Sequence, residues 1–415
     1  MITTRKLSNG VRMVMEQMPG VQSIAIGVFV RTGAVDEMDR NAGISHFVEH
    51  MMFKGTESRD ARTIAADIDR IGGQINAYTS KEHTCYYVKA VSENYRKAAD
   101  VIVDMLEHSV FDPAEMDRER QVICEEIKMT KDSPDDVVHD TFVSQVFRGN
   151  PEGRSIIGTP SSLNRVTHGV ITRYVREQYT RDSIVVSVAG KFDEDEICAY
   201  FENAFLSLGD SKPAARESRT PYKRSFRSVT KDIQQSHICL GTRGLPLGDD
   251  RSYAFQIMNN LLGGSMSSRL FQNIREQKGL AYSVFSSSGG FRNAGYFEIY
   301  AGVAHDRIRK AIEGIREEID RLGRESVSQD ELDSSREQIK SIYVFSQESS
   351  SARMMINGKN FLLKNKVYMP EEVLDGYNSV TIDDIDRIKK LITDFDTYSA
   401  TVVSGKPVRV RSMME

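Results

Sequence analysis

The feature that most constrains this chain is an internal duplication with a period of about half its length. Gln22-Ser23 opens an alternating apolar run (Ile24, Ile26, Val28, Val30), and Gln235-Ser236 opens another at 238–241, 213 residues later. Arg96-Lys97-Ala98 begins one long amphipathic helix and Arg309-Lys310-Ala311 begins a second, again 213 apart. Near the end of each half a β-branched strand runs into Gly-Lys, at 183–191 and 399–406. So long a period is no solenoid repeat, whose units run to ~20–50 residues; it implies a duplicated domain. Between the halves, 208–230 is rich in Ser, Lys, Arg and Pro, lacks a sustained apolar period and reads as an exposed linker. The expected organisation is an N-terminal domain over 1–212, a linker over 213–230 and a homologous C-terminal domain over 231–415.

Each half has the same coarse order: a strand, helices, two strands, several long helices, then a last strand and helix. In the first half the paired strands are 74–79 and 83–91, separated by Ser80-Lys81-Glu82, a hairpin-sized turn. Hairpin strands beside grouped helices predict an α+β fold, two homologous domains each with a mainly antiparallel sheet packed with helices. A chain of 415 residues, 40% hydrophobic, can supply two such cores. A net charge of −4 gives no basic excess for nucleic acid. The longest apolar runs, such as 24–30 and 184–189, are strand-sized, so no membrane span is expected. The first residues carry neither an apolar signal segment nor an Arg- and Ser-rich amphipathic stretch. The four cysteines are scattered without paired spacing, which suits reduced, mostly buried thiols in a cytosolic (cytoplasmic) protein; Cys124 reads as packing.

The chemistry-bearing pattern is His46-Phe47-Val48-Glu49-His50. On a helix, residues four apart stand one above the other, so both imidazoles can reach one ion. Glu49 projects from the neighbouring side of that face, where it can hold a water without being a ligand. This is the inverted form of the His-Glu-x-x-His metallopeptidase helix. Taken alone, it is equally the pattern of a helix with two incidental histidines. The stretch 113–131, free of Gly and internal Pro, adds Glu119, Glu125 and Glu126 on a second helix. Glu119 and Glu126, two turns apart, share a face, and Glu125 points elsewhere. One carboxylate beside two imidazoles completes the His₂Glu set of a catalytic zinc site with a fourth position for water. His83 is the nearest rival ligand, but it sits on a strand without a partner at ligand spacing and reads as structural.

The run Gly43 to Thr56 (GISHFVEHMMFKGT), then 73–79 (GQINAYT), then Glu119 to Glu126, resembles the pitrilysin/insulinase zinc metallopeptidases, the inverzincins. The closest branch is that of the mitochondrial processing peptidase catalytic subunit and its bacterial homologues, and the resemblance covers nearly the whole chain. It implies one Zn2+ per chain held by His46, His50 and Glu126, which lies 76 residues after His50. Glu49 is then the general base and proton carrier, and Glu119 supports the site by orienting a ligand or water. In the second half, positions 259, 262 and 263 (Asn, Leu, Gly) replace the motif, so no second copy of the zinc site is expected. That half instead offers Arg275 and Tyr282, with Gly279 ending the intervening helix. The resemblance gives this pair the role of binding substrate carbonyls and stabilising the tetrahedral intermediate. Gly263-Gly264-Ser265 lacks the Gly-Lys-Ser/Thr ending of a phosphate loop and reads as a helix break. Two further assignments follow from the family: Asn76 and Ala77 at the centre of an edge strand that pairs with extended substrate, and Asp136 with Asp140 as an acidic pair for a substrate Arg.

The expectation is therefore a zinc endopeptidase acting on short or unfolded peptides or presequence-like segments, enclosed in a clamshell chamber between two domains. The bacterial branch implies a homodimer; neither nucleic acid nor membrane is an expected partner. A non-catalytic structural or presenting subunit of the same fold is the alternative, and it predicts damage to the zinc motif, the distal Glu or the Arg/Tyr pair, none of which is seen. A metal hydrolase of non-peptide substrates is disfavoured by the substrate strand and the Arg/Tyr pair.

Overall fold

A computed structural model gives the structure and describes residues 2–210 and 219–415. One sheet contains β1 (Ile2–Lys6), β2 (Arg12–Gln17), β3 (Ser23–Val30), β4 (Gln74–Thr79), β5 (Thr84–Val91) and β6 (Ile184–Gly190), ordered β1-β2-β6-β3-β5-β4. The other contains β7 (Phe226–Thr230), β8 (Ser236–Arg243), β9 (Ala281–Gly290), β10 (Gly295–Val303) and β11 (Ser399–Ser404), ordered β7-β11-β8-β10-β9. Leaving β1 aside, the sheets correspond strand for strand. The pairing sense matches too: β2 with β6 and β7 with β11 are parallel, and the remaining pairs are antiparallel. The duplication thus extends to the hydrogen-bonding pattern, and each half is a mixed α/β domain built around a mainly antiparallel sheet.

The helices that matter for the site are α1 (Ile44–Met52), α2 (Ala61–Arg70), α3 (Tyr95–His108), α4 (Pro113–Asp132) and α5 (Pro134–Val146). α3 buries Ala98, Ala99, Val101, Ile102, Met105 and Leu106, the i, i+3, i+4 stripe of an amphipathic helix, and its repeat counterpart Ile308–Arg324 does likewise. β3 and β6 are buried along nearly their whole length rather than on alternate residues. Such strands are covered on both faces, which is why they read as continuous apolar runs. Among the described residues, no helix is long and apolar enough to cross a membrane.

The structure corrects the linker. Residues 226–230, expected within it, form β7, an edge strand parallel to β11. Only Phe226 and Val229 of β7 are partly buried, so its sequence carries too weak an apolar alternation to be seen as a strand. The linker segment 213–218 lies outside the described residues.

The chain forms two compact units, and each draws on both halves of the sequence. The first comprises Met1–Ile127, Arg154–Ala215 and Val344–Met369; the second comprises Lys128–Gly153, Arg216–Tyr343 and Pro370–Glu415. The helix Ser350–Lys364 therefore belongs with the first sheet, where Met354 and Leu362 pack on Ala25, Phe29, Val185 and Ala189. Two glycines allow this close approach: a Cβ on Gly27 would meet Met354 Sδ at 2.3 Å, and one on Gly358 would meet the Phe29 ring at 2.2 Å. Reciprocally, α5 lies in the second unit, with Val138, Phe142 and Val146 against Cys239, Tyr300 and Val403. The exchanged helices are equivalent elements of the repeat, displaced from 134 to 350.

Candidate metal centre

α1 is amphipathic in the sense the motif requires. Ile44, Ser45, Phe47, Val48, Met51 and Met52 are buried, which leaves His46, Glu49 and His50 on the remaining face. Its start is fixed by Gly43, in the left-handed region at φ 90°, where a Cβ would lie 2.8 Å from the Ile157 carbonyl oxygen. Glu37 caps this end. The Gly43 N–H donates to its Oε2 at 2.7 Å and the Ser45 N–H to its Oε1 at 2.8 Å, an anion at the positive end of the helix. Burial pushes the Glu37 carboxyl up to about 7, and the hydrogen bonds from Ser45 and Gly43 pull the other way.

The donors of His46, His50 and Glu126 lie within 4.8 Å of one another. Both imidazoles turn Nε2 toward Glu126 Oε2, at 3.8 Å from His46 and 3.6 Å from His50. The rings sit edge to face with centroids 4.6 Å apart. Burial, then the neighbouring His50, lowers the His46 pKa to about 4, which keeps that imidazole neutral, the form that binds a metal. His50 Nδ1 meets Glu119 Oε2 at 3.0 Å, the carboxylate–imidazole contact that fixes a ligand's tautomer and ring orientation. Among the described residues, the buried Nδ1 of His46 has no such partner.

Two groups complete the neighbourhood that the sequence did not single out. Lys54 Nζ lies 2.6 Å from Glu119 Oε1, so one buried carboxylate joins His50 to a lysine. Thr79, at the end of β4, donates its hydroxyl to Glu49 Oε2. Burial raises the Glu49 pKa, the Thr79 hydrogen bond and His50 oppose the rise, and Glu126 adds to it. Both residues stand in the motifs that were read, Lys54 four after His50 and Thr79 ending the 73–79 run. Their contacts join separate segments, so no spacing rule exposes them.

Among the described residues β4 is the terminal strand of its sheet, paired only with β5, and Asn76 is exposed on it with Ala77 half-buried. His83 is held by Tyr78 OH at Nε2 (3.0 Å) and Ser80 Oγ at Nδ1 (2.8 Å), so both ring nitrogens have protein partners. Arg275, Tyr282, Asp136 and Asp140 belong to the second unit. Arg275 lies on the helical turn Phe271–Gln277, its guanidinium 4.7 Å from the Phe271 ring centroid and 5.7 Å from that of Tyr282. Gly279, at φ 57°, ends this helix and β9 begins at Ala281, so Tyr282 stands near the strand start and is 75% exposed. Asp136 and Asp140 are exposed on the first half of α5.

Residues 12–160 match the family described as "Insulinase (Peptidase family M16)", and residues 165–339 match "Peptidase M16 inactive domain". An uncharacterized zinc protease of Bacillus subtilis is 40% identical over 97% of this chain and 98% of its own length. A second, from Streptomyces coelicolor, is 36% identical over 92% of this chain and 85% of its own. Among solved structures, a peptidase M16 inactive domain from Pseudomonas fluorescens superimposes with a TM-score of 0.91 at 14% identity, covering 98% of both chains. A protease from Helicobacter pylori gives 0.88 at 22% identity, over 97% of this chain and 99% of that one. At those identities the superpositions speak to the fold.

Proposed function

This chain belongs to peptidase family M16, and from that premise we propose that it is a zinc-dependent endopeptidase of short, extended or unfolded peptides. The observation that carries the reading is the convergence of His46 and His50, on the α1 face that also carries Glu49, with Glu126 of α4. Two imidazoles and a carboxylate are the donor set of catalytic zinc, and their separations fit a single ion. The family's peptidase description and the relatives called zinc proteases support the same assignment.

His46 Nε2, His50 Nε2 and a Glu126 oxygen are the groups that would hold the ion. When bound, zinc supplies Lewis acidity that lowers the pKa of water and polarises a carbonyl. Glu49 takes the proton of the attacking water and returns it to the departing amine. Glu119 holds His50 in orientation, with Lys54 neutralising it. Asn76 and Ala77 on the free edge of β4 offer backbone pairing to an extended substrate. Arg275 and Tyr282 bind the scissile carbonyl region, and Asp136 with Asp140 receives a basic substrate side chain. The enclosing chamber between the halves, the homodimer, the processing-peptidase type of substrate and the cytoplasmic location rest on family resemblance.

The test is cleavage of a panel of unstructured peptides by the wild type and Glu49→Gln, with zinc measured in both. Loss of a general base is worth about 10²–10⁴-fold, so activity in Glu49→Gln should fall by at least that range while zinc stays bound. Equal activity in the two proteins would sink the assignment.

A further inference from the structure

The second unit carries a cluster of potential ligands of its own. His139 on α5, Cys239 on β8 and Glu298 on β10 bring an imidazole nitrogen, a sulfur and a carboxylate oxygen within 4.8 Å of one another. We propose that these three side chains bind a second divalent ion of borderline softness, Zn2+ in the first instance, which pins α5 to the sheet.

The geometry follows from strand register. Cys239 lies opposite Tyr300, and Gly241 lies opposite Glu298, so Cys239 and Glu298 are diagonal neighbours on one face of the β8–β10 pair. α5 covers that face. It comes close because Gly241 has no side chain; a Cβ there would meet the Phe142 ring at 2.4 Å. His139 is thereby held over the pair, its Nδ1 3.1 Å from Glu298 Oε1, while the Cys239 thiol donates to Glu298 Oε2 at 3.1 Å. Ligand atoms around tetrahedral zinc, with bonds of about 2.0–2.3 Å, stand roughly 3.3–3.8 Å apart. The two contacts to Glu298, at 3.1 Å each, lie just below that range.

Charge argues in the same direction. Glu298 is 5% exposed and Cys239 is fully buried. Among the described residues, the only ion-pair partner of Glu298 is His139. A buried carboxylate without a fixed cation is costly. Replacing the thiol proton by a dication gives thiolate, carboxylate and M2+ with no net charge and a neutral imidazole as third ligand. The displaced thiol proton, and the Nδ1 proton wherever the ring carries one there, go to solvent. One outer contact is in place: Ser287 Oγ donates to Glu298 Oε1 at 3.0 Å.

Sulfur distinguishes this site from the His46–His50–Glu126 cluster, which has none. The full-length protein, stripped with chelator and loaded with Co2+, should take up two equivalents and show a near-ultraviolet sulfur-to-cobalt charge-transfer band. Cys239→Ser and His139→Ala should each lose that band and one equivalent. His139→Ala strips buried Glu298 of its ion-pair partner, so His139→Gln, whose amide can still donate to that carboxylate, must lose the band as well and tests the site even if the other variants fail to fold. The double variant His46→Ala/His50→Ala should keep the band and lose the other equivalent, which separates this proposal from the peptidase assignment. A wild type without the band, or a band retained in Cys239→Ser, His139→Ala or His139→Gln, overturns it.

Discussion

Thr79 and Glu49 show how much of this site depends on contacts between segments remote in sequence. The Thr79 hydroxyl opposes the burial that raises the Glu49 carboxyl. Removing it in Thr79→Val should push the Glu49 pKa further up, moving the acid limb of the kcat/KM profile to higher pH. A hydrogen bond to a charged group is worth about 1.5–3 kcal/mol, so roughly 10–100-fold in kcat/KM should also be lost, with zinc content unchanged. A profile superimposable on that of the wild type would leave Thr79 without a positioning role. His83 gives a second prediction, with its sign set by burial. Its pKa falls from 6.5 to about 3, through burial first and Lys359 second. Below pH 6.5 the unfolded chain gains a proton that the folded protein refuses, so this contribution to stability drains away as pH falls from 6.5 toward 3 and is constant above. Unfolding free energies from urea titrations between pH 7 and 4 should fall more steeply in wild type than in His83→Gln, by up to ~1.4 kcal/mol per pH unit. At this scale His46 and His50 were legible because helical spacing is a local rule, whereas Glu126, on another helix, was chosen through the family resemblance. Lys54 and Thr79 were not legible, because they act through residues 65 and 30 positions away.

The elements that present these side chains depend on how they are anchored. α1 is a short helix of nine residues whose entry is held by both oxygens of one buried carboxylate, Glu37. In Glu37→Gln one of those acceptors becomes a donor facing a backbone N–H, leaving a buried polar pair unsatisfied. Destabilisation of about 1–3 kcal/mol is expected, together with faster zinc loss to a chelator because His46 and His50 ride on the same helix. Denaturation midpoints and a chelator time course check both; an unchanged rate of zinc loss would mean that α1 is held by its apolar face alone. Strands and helices were readable wherever they buried a regular stripe: β4 and the start of α4 fall where the sequence placed them, and β5 differs by one residue. β7 was lost because an edge strand with two half-buried apolar residues has no pattern to read.

For the whole molecule, a hydrophobic stripe states that a helix buries one face but not against which sheet, so the exchange of α5 and the helix 350–364 was invisible in the duplication that revealed the two halves. That exchange makes independent folding of either half improbable on energetic grounds. A fragment of residues 1–212 would keep the first sheet but expose Ala25, Phe29, Val185 and Ala189, on which the helix Ser350–Lys364 packs. It would also strip buried Glu16 of its bidentate partner Arg353 and of the Asn357 amide, which donates at 2.7 Å. Leaving one charge of a buried pair uncompensated costs about 3–5 kcal/mol, a large share of the ~5–15 kcal/mol by which a domain is stable. A fragment of 219–415 would likewise lose Val138, Phe142 and Val146 from beneath Cys239, Tyr300 and Val403. Each fragment alone should therefore be aggregation-prone or bind a hydrophobic dye without a cooperative thermal transition. Produced together, the two should co-purify as a non-covalent complex, since the exchanged helices supply the missing faces. A sharp transition in either isolated fragment, at a temperature near that of the full chain, would show that the exchanged helices contribute little and that the sequence boundary is also the folding boundary.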